Sequence, residues 1–587
     1  MAEWMVASKR ADFDAIAAKF NIDKVIARII RNRDIITDRE IDLFLNGTLD
    51  DLHSPHLMKD MDKAASIIKD AIEKGSRIRI MSDFDVDGIC AAYILQKGLE
   101  VLGANVDTDI PDRIRDGYGL NDQMVEKAAD DGVNLIITCD NGIAASSQTE
   151  LARKLGMDVI VTDHHEVPYD IINGDKVYNV PDACAVVDPK QEDCPYPFKS
   201  ICGAVVAYKL FIVLAGEEHK ETVDEMLPFA ALATVCDVME LKDENRIIVR
   251  EGLLKMGQTE NPGLRALLTV CELAGKTIGT FHAGFVLGPC INATGRLDSA
   301  KRALSLFTSD NYEEAVVIAR ELRDLNVSRK KMTEDGAQKA VEMIETTDIK
   351  NDRVIVIYLE DTHESLAGII AGRIKERYHR PCFVVTKCEG GLKGSGRSIP
   401  AYDMYEALSA VKDLFTRFGG HKMAAGISLE NMDKLDELRR RLNDNCTLTD
   451  EDMTEKILID VPMPLSYIRE DLITSLEILE PFGTGNPKPV FATSKISLIS
   501  YTRLGKNKNV GKFRIKDETG KDYEMIHFGD PDLFEDFLKG KFGVDTVGSL
   551  EKGNVKPGDM MIDIVYYPDI NEYGNRRSIQ IVMDHYR

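Results

Sequence analysis

The sequence predicts an α/β protein with two α/β domains and a small β-barrel near its C-terminal end. Between residues 77 and 188, short β-rich runs alternate with helical stretches, a pattern typical of βαβ units in a parallel sheet. A second α/β pattern begins at residue 353, and short strands with turn signals dominate after residue 455. Open parallel sheets bind ligands beyond the carboxyl ends of their strands, so we expect a functional site there.

The elements follow one another in a regular order. The first 75 residues favour several short helices, and the first sheet follows in the runs RIRIMSD, NLIITCD, DVIVTDHH and AVVDP. A charge-rich, proline-free stretch around 310–350 predicts a long connector helix. The segments GGLKGSGRS (390–398) and FGGHKMAAG (418–426) are predicted to be glycine-rich loops. These patterns predict domain boundaries at 1–325, 326–352, 353–450 and 455–587.

Composition restricts the class of protein. The 587 residues include 74 Lys and Arg against 98 Asp and Glu, a net charge of −24 that repels phosphate at long range. A metal site built of carboxylates is itself acidic, however, and net charge says little about local patches. The 11 cysteines form no CxxC pair, which favours reduced thiols over a zinc knuckle or a disulfide framework. We found neither a membrane-spanning apolar run nor a secretory signal, so the expected location is the cytoplasm.

The segment MSDFDVDGIC (81–90) has the strongest chemical signal. Asp83, Asp85 and Asp87 alternate directly after a predicted strand, so their carboxylates can surround one point at its end. The same DxDxDG pattern opens an EF-hand calcium loop, which requires a glutamate at its twelfth position. That position is Ile94, and the segment follows a strand instead of a helix. The EF-hand interpretation is therefore excluded.

Further acids and histidines fall at the same predicted edge of the sheet. They come where a strand or its neighbouring element ends: Asp140, Asp163, His164, His165 and Asp237. Carboxylates with a few imidazoles and no thiolates suit Mg²⁺ or Mn²⁺ better than structural zinc. Two such ions close together activate water and stabilise an in-line displacement at phosphorus, with one carboxylate bridging them. The pattern therefore predicts a phosphodiesterase with two divalent metal ions.

The motifs DFDVDG, TCDNG, TDHH and CDV resemble the DHH phosphoesterase superfamily and, within it, the RecJ family of bacterial exonucleases. The likeness extends to PDRIRDGYGL, the strand-like NATGR (292–296), GSGRS, GGHKMAAG and EPFGTGNPKPVF. It implies a DHH parallel-sheet core, a long helix, a DHHA1-type α/β domain and a C-terminal OB-like barrel. One departure is DTHES, which has Thr362 where relatives usually have a tryptophan before the histidine.

The resemblance implies a role for each candidate residue. The implied metal ligands, with Asp140 as the bridge, are Asp85, Asp87, Asp140, His164 and Asp237. Asp163 would orient its neighbouring histidine, His165 would contact the scissile phosphate, and Asp83 would support the site or add a ligand. The implied substrate-binding residues are Arg113, Arg296, Ser395, Arg397 and His421. Backbone N–H groups around Ser395 would form a phosphate nest, and His421 would close the cleft.

The C-terminal barrel has a candidate nucleic-acid surface. The segment YTRLGKNKNVGKFRIKDETGK (501–521) is locally basic, and Tyr501 and Phe513 are predicted to stack on bases while the cations follow the backbone. A solvated hairpin is the alternative. Both interpretations stay open at this stage.

By this resemblance the chain is expected to be a 5′-to-3′ exonuclease on single-stranded DNA that acts in repair and recombination. Single-strand-binding protein and a RecQ-type helicase are plausible partners. The alternatives are a phosphodiesterase for RNA, short oligonucleotides or cyclic dinucleotides, and a catalytically inactive nucleic-acid-binding scaffold. A scaffold is expected to lack metal ligands, whereas none of the implied ligands is missing here.

Overall fold

A computed structural model describes residues 2–113, 119–388, 390–506, 508–573 and 576–587. The middle of the segment PDRIRDGYGL thus lies outside the described residues, as do Asn507 and two residues of the last hairpin. The chain divides into two compact units, residues 48–453 and residues 1–47 with 454–587.

The first sheet of unit 48–453 is parallel throughout. Its five strands lie in the order Asn105–Asp109, Arg77–Ser82, Leu135–Cys139, Asp158–Thr162 and Ala185–Val187. The segments between the strands form helices because their apolar residues repeat at helical spacing. One of these helices, Val86–Val101, is buried along most of its length. A two-stranded hairpin, Tyr169–Ile172 with Asp175–Tyr178, stands apart from this sheet.

The helices of this part surround the sheet and extend the core. They are Met61–Glu73, Val86–Val101, Asp122–Asp130, Ser146–Lys154, Gly203–Ala215, Lys220–Cys236, Asp243–Met256, Pro262–Val270, His282–Leu287 (a π-helix), Gly288–Leu297, Lys301–Thr308 and Tyr312–Thr346. The segment NATGR lies in the helix Gly288–Leu297, so its prediction as a strand was wrong. The predicted long helix is confirmed as the 35-residue helix Tyr312–Thr346.

A second sheet follows the long helix. Its strands lie in the order Phe415–His421, Ala424–Leu429, Gly391–Arg397, Cys382–Cys388 and Ile355–Tyr358, with helices Ala367–Tyr378, Met404–Ser409 and Met432–Asp444. The predicted glycine-rich loops are therefore mostly strands, which is a correction. Their glycines leave room for neighbours: a Cβ at Gly396 would lie 2.5 Å from the Met404 sulfur.

Unit 1–47 with 454–587 contains a closed five-stranded barrel. The strands are Phe491–Leu504, Val510–Lys516, Asp522–His527, Arg576–Tyr586 and Met561–Tyr573, and the last pairs with the first. Short strands Lys456–Ile459 and Val461–Pro462 precede it, and Glu3–Val6 pairs in parallel with Lys456–Ile459. The unit's helices are Phe13–Phe20, Lys24–Asn32, Asp38–Asn46, Glu470–Leu476, Pro531–Phe542 and Thr546–Glu551. The predicted α/β class with a C-terminal barrel is confirmed.

Candidate metal centre and nucleic-acid site

Three neighbouring parallel strands deliver carboxylates to one edge of the first sheet. Asp83 follows the strand Arg77–Ser82, Asp140 follows Leu135–Cys139, and Asp163 follows Asp158–Thr162. Because these strands are adjacent and parallel, their carboxyl ends lie side by side. Asp83, Asp140 and Asp163 are all buried.

The turn after the first of these strands positions two further carboxylates, those of Asp85 and Asp87. Asp85 caps the helix Val86–Val101, and its Oδ1 accepts hydrogen bonds from the backbone N–H groups of Asp87 (2.9 Å) and Gly88 (3.1 Å). Gly88 is needed here, because a Cβ at this position would lie 2.4 Å from the Asp83 carbonyl oxygen. The motif DFDVDG thus builds a tight connection that brings its three aspartates together.

A second helix N-terminus holds Asp87. The two carboxylate oxygens of Asp87 accept hydrogen bonds from the N–H groups of Gly203 and Ala204, both at 2.7 Å. These residues begin the helix Gly203–Ala215, whose positive dipole end favours a negative charge. A Cβ at Gly203 would lie 2.7 Å from the Cβ of Asp140, so this glycine also lets the helix approach the sheet edge.

His164 lies among three carboxylates. Its Nε2 is 3.0 Å from Asp140 Oδ1, 3.5 Å from Asp87 Oδ2 and 3.7 Å from Asp237 Oδ2. Asp237 lies at the C-terminal end of the helix Lys220–Cys236. Ligand atoms lie within 4.8 Å of one another in three groups: Asp140, His164 and His165; Asp87, His164 and Asp237; and Asp83, Asp85 and Asp140. Asp140 and His164 each belong to two of these groups.

Asp163 fixes His165. Its Oδ1 is 2.7 Å from His165 Nδ1, and its Oδ2 accepts a hydrogen bond from the Ile143 N–H at 2.9 Å. Burial lowers the pKa of His165, but the hydrogen bond and charge of Asp163 outweigh burial and raise that pKa to about 9. The His165 side chain is 43% exposed, whereas that of His164 is 5% exposed. His165 can therefore reach a molecule in the open part of the cleft.

The crowded carboxylates favour cations. Burial and the charges of neighbouring aspartates raise the pKa of Asp83 and Asp140 well above the usual value and that of Asp237 to about 8. Asp83 Oδ1 is buried and has no hydrogen-bond partner among the described residues. Only oxygen and imidazole nitrogen atoms occur in the three groups, so the donor set fits divalent ions such as Mn²⁺ or Mg²⁺.

Three arginines form a second cluster. The Arg113 guanidinium lies 5.0 Å from the centre of the Phe84 ring, and Arg296 Nη1 donates to the Ser365 carbonyl oxygen at 2.7 Å. Burial and the neighbouring Arg113 charge lower the pKa of Arg397, and burial with three other arginines lowers that of Arg296 to about 9. None of the three has an ion-pair partner in the part of the chain that the structure describes. A cluster of guanidinium groups without direct ion pairs suits phosphate groups.

Ser395 and Arg397 lie on one strand above a helix N-terminus. Arg397 Nη1 donates to Ser395 Oγ at 3.1 Å, and a Cβ at Gly368 would lie 2.9 Å from both Arg397 Nη2 and Ser395 Oγ. Gly368 is in the first turn of the helix Ala367–Tyr378. The residues around Ser395 pair with strands on both sides, so the prediction of a backbone phosphate nest was wrong.

His421 takes part in neither cluster among the contacts of the described residues. It is exposed at the end of the strand Phe415–His421, where its Nδ1 accepts a hydrogen bond from the Met423 N–H at 3.3 Å. In the sheet it pairs with Ala424, which pairs in turn with Arg397 on its other side. Among the described residues, no contact joins His421 to the carboxylate cluster.

The barrel corrects one prediction about its surface. Tyr501 and Phe513 are 1% and 2% exposed, and their rings stack on each other inside the barrel at 4.8 Å. They cannot stack on bases, because strand alternation points both inward. Several cations of the basic segment are paired with acids, such as Arg514 with Asp522 at 3.0 Å. Lys506 and Lys508 lie exposed in the loop between two strands.

Comparisons with known proteins agree with this architecture. Three family models match: "DHH family, N-terminal domain" at residues 77–234, "DHHA1 domain" at 351–447 and "RecJ OB domain" at 459–585. The Single-stranded-DNA-specific exonuclease RecJ of Bacillus subtilis is 35% identical, over 99% of this chain and 71% of the relative. That of Escherichia coli is 32% identical, over 95% of each chain. The chain belongs to the RecJ family.

Solved RecJ structures extend the similarity to the fold. RecJ from Thermus thermophilus in complex with Mn²⁺ matches with a TM-score of 0.79 and 26% identity, over 100% of this chain and 79% of that one. A second structure of the same protein contains Mg²⁺. These are the two ions that the sequence predicts. Within the described residues, no helix is long and apolar enough to cross a membrane.

Asp188 is a further buried acid near Asp163 in this RecJ chain, and the sequence motifs do not single it out. It is fully buried after the strand Ala185–Val187, and its Oδ1 accepts a hydrogen bond from the Lys190 N–H at 2.7 Å. Burial and the nearby Asp163 charge raise its pKa to about 8. The signal was available, because AVVDP places an acid at the end of a fourth parallel strand.

Proposed function

We propose that this chain is a metal-dependent exonuclease that degrades single-stranded DNA from the 5′ end into mononucleotides, in DNA repair and recombination. The observation that supports this most is the cluster of His164 with Asp87, Asp140 and Asp237 at the edge of the sheet. Membership of a family whose relatives are named single-stranded-DNA-specific exonucleases supports the substrate.

The proposed metal ligands are the five that the family resemblance implies: Asp85, Asp87, Asp140, His164 and Asp237. Asp140 is the proposed bridge, because it belongs to two of the three groups of close ligand atoms. When bound, two divalent ions would activate water and stabilise the charge that develops on the phosphate. Asp83 supports the turn and offers a further carboxylate to the same side of the cluster.

The remaining residues bind and orient the substrate. Asp163 holds His165 through its Nδ1, and His165 would contact an oxygen of the scissile phosphate. Arg113, Arg296 and Arg397 neutralise phosphates along the strand through their planar guanidinium groups. Ser395 adds a hydroxyl beside Arg397, and His421 extends the same row of the sheet.

The test is degradation of single-stranded DNA labelled at either end, and of the matching RNA, with Mn²⁺, Mg²⁺ or EDTA. We expect early release of mononucleotides from the 5′ end of DNA and complete loss of activity in EDTA. Asp140→Asn should lower kcat by roughly 100-fold or more while DNA binding persists, since it removes charge stabilisation from the transition state.

Other outcomes separate the alternatives. Shortening from the 3′ end, or faster cleavage of RNA, would keep the metal site but contradict the substrate. Cleavage confined to dinucleotides would favour a short-oligonucleotide phosphodiesterase. The absence of cleavage with either metal would favour a binding scaffold. Cytoplasmic location, and partnership with single-strand-binding protein and a RecQ-type helicase, are proposed from the family resemblance alone.

A further inference from the structure

An exposed pair of phenylalanines lies on the helix that leads to Arg296. Phe281 and Phe285 are 65% and 67% exposed, and their rings stack at 5.4 Å between centroids with 22° between planes. A contiguous exposed apolar patch marks an interaction site, whereas a single exposed apolar side chain does not. The rings flank the start of a π-helical turn, His282–Leu287, and such turns are frequent at functional sites.

The same helix packs directly behind the metal cluster. The π-helical turn runs without a break into the helix Gly288–Leu297. Cys236, the residue before Asp237, donates its thiol to the Ala283 carbonyl oxygen at 3.6 Å. A Cβ at Gly288 would lie 2.4 Å from the Cys236 sulfur. The side of the helix with Ala283 and Gly288 is therefore fixed against the element that positions a proposed metal ligand.

The same segment also carries accessible groups along its length. Phe281, Phe285, Asn292 and Arg296 follow one another along it, and none of the four is buried. Arg296 is at the end beside Arg113 and Arg397, where the proposed function places phosphates. Phe285 precedes Arg296 by 11 residues, about 16 Å along a helix at 1.5 Å per residue. That distance corresponds to a few nucleotides of an extended single strand.

We propose that Phe281 and Phe285 form a stacking platform for bases of single-stranded DNA a few nucleotides away from the scissile phosphate. The proposal rests on the proposed function, since it extends the same strand beyond the arginine cluster. Aromatic faces bind every base, so the platform adds affinity without sequence preference. A base already paired in a duplex cannot rotate onto the rings, so the platform also favours single strands.

The test compares substrates of two lengths. Phe281→Ala and Phe285→Ala should each raise KM for a long single-stranded oligonucleotide by roughly 5- to 100-fold, the range expected for loss of one base stack. Hydrolysis of a dinucleotide, which is too short to reach the platform, should be unchanged. Phe285→Tyr should retain tight binding, whereas Phe285→Leu should not, because stacking requires a ring.

Controls separate binding from folding. Leu254→Ala removes a similarly exposed apolar side chain from another helix. It should leave the KM for the long oligonucleotide and the hydrolysis of the dinucleotide unchanged. In an Asp140→Asn background, which slows turnover, 2-aminopurine within the oligonucleotide should be quenched at the positions that stack, and Phe285→Ala should abolish that quenching.

Two results would overturn the platform while leaving the proposed function intact. One is wild-type KM for long DNA in the double variant Phe281→Ala/Phe285→Ala, as expected if the patch serves a protein partner. The other is an equal loss on the dinucleotide, which would make the rings structural. Failure of the wild-type protein to degrade single-stranded DNA would instead reject the proposed function and the platform with it.

Discussion

Asp140 adopts a backbone conformation that disfavours most residues. Its φ is 61°, in the left-handed region, and its carboxylate is buried among other acids. Such a conformation costs on the order of 1–3 kcal/mol for a residue other than glycine, and such strain clusters at active sites. The aspartate is therefore retained at a cost in stability, which its proposed role as the bridging ligand explains.

We expect Asp140→Gly to stabilise the metal-free protein while abolishing activity. Glycine relieves the left-handed strain, and loss of the carboxylate removes repulsion within the acidic cluster. The measurement is thermal unfolding in EDTA together with calorimetric titration of Mn²⁺. Asn21→Gly is a matched control, because Asn21 has a φ of 52° at an exposed helix end and should gain stability without losing activity. A metal-free Asp140→Gly protein less stable than wild type would contradict this account.

Single residues were predictable where their chemistry depends on position along a strand. Asp140, Asp163 and His164 follow apolar β-runs, and that alone places them at one edge of a parallel sheet. The prediction for Tyr501 and Phe513 was wrong because composition shows that aromatics and cations are close in sequence but not which face of the strand they occupy. Asp188 belongs to no motif, and it can be found only by asking which residue follows each predicted strand.

At the scale of elements, glycines control how closely helices approach the site. Gly203 begins the helix that donates two hydrogen bonds to Asp87, and it packs against Asp140. The glycines of GSGRS favour a loop when only the sequence is considered, but in the sheet they leave space for Val385 and Met404. In NATGR, Gly295 lets a helix approach Phe84 closely. Periodicity cannot distinguish these uses of glycine, because each depends on a partner distant in sequence.

Gly203→Ala should weaken metal binding without unfolding the protein. The added methyl group would lie 2.7 Å from Asp140 Cβ, so the helix must shift and its N–H groups must move from Asp87. Because groups that orient metal ligands typically contribute 10- to 100-fold, we expect Mn²⁺ affinity and kcat to fall by roughly that factor. Gly540→Ala meets no atom within 4 Å in the helix Pro531–Phe542 and should leave both unchanged. Wild-type Mn²⁺ affinity in Gly203→Ala would show that the helix does not position Asp87.

At the scale of the whole molecule, an acidic protein has to bind a polyanion through local charge. Lys506 and Lys508 extend from the barrel in the loop between Phe491–Leu504 and Val510–Lys516. We expect Lys506→Ala/Lys508→Ala to weaken binding of single-stranded DNA and to reduce the slope of log K against log salt by about 0.7 for each phosphate that a lysine no longer neutralises. The measurement is fluorescence anisotropy over a salt series. An unchanged slope would place the DNA path elsewhere on the barrel.

The long-range arrangement of the chain is the part that the sequence does not reveal. Helical spacing predicts the N-terminal helices, but only contacts across the chain show that residues 1–47 pack with 454–587. Arg33 and Asp460 form a buried, bidentate ion pair between these segments. Arg33 Nη1 lies 2.6 Å from Asp460 Oδ1, and Arg33 Nη2 lies 3.1 Å from Asp460 Oδ2. The Asp460 carboxylate also accepts the Val490 N–H at 3.0 Å, and its backbone carbonyl accepts from Asn32 at 3.0 Å.

Removing one partner of this pair should therefore destabilise the barrel unit strongly. Asp460→Ala leaves the Arg33 guanidinium buried without its carboxylate, and we expect a loss of about 3–5 kcal/mol in the free energy of unfolding. Arg33→Met/Asp460→Leu removes both charges and should recover much of that loss, although the Val490 N–H remains unpaired. Urea unfolding, followed by tyrosine fluorescence, measures both variants. Equal destabilisation by the single and double variants would show that packing, and not an uncompensated charge, holds the N-terminal helices to the barrel.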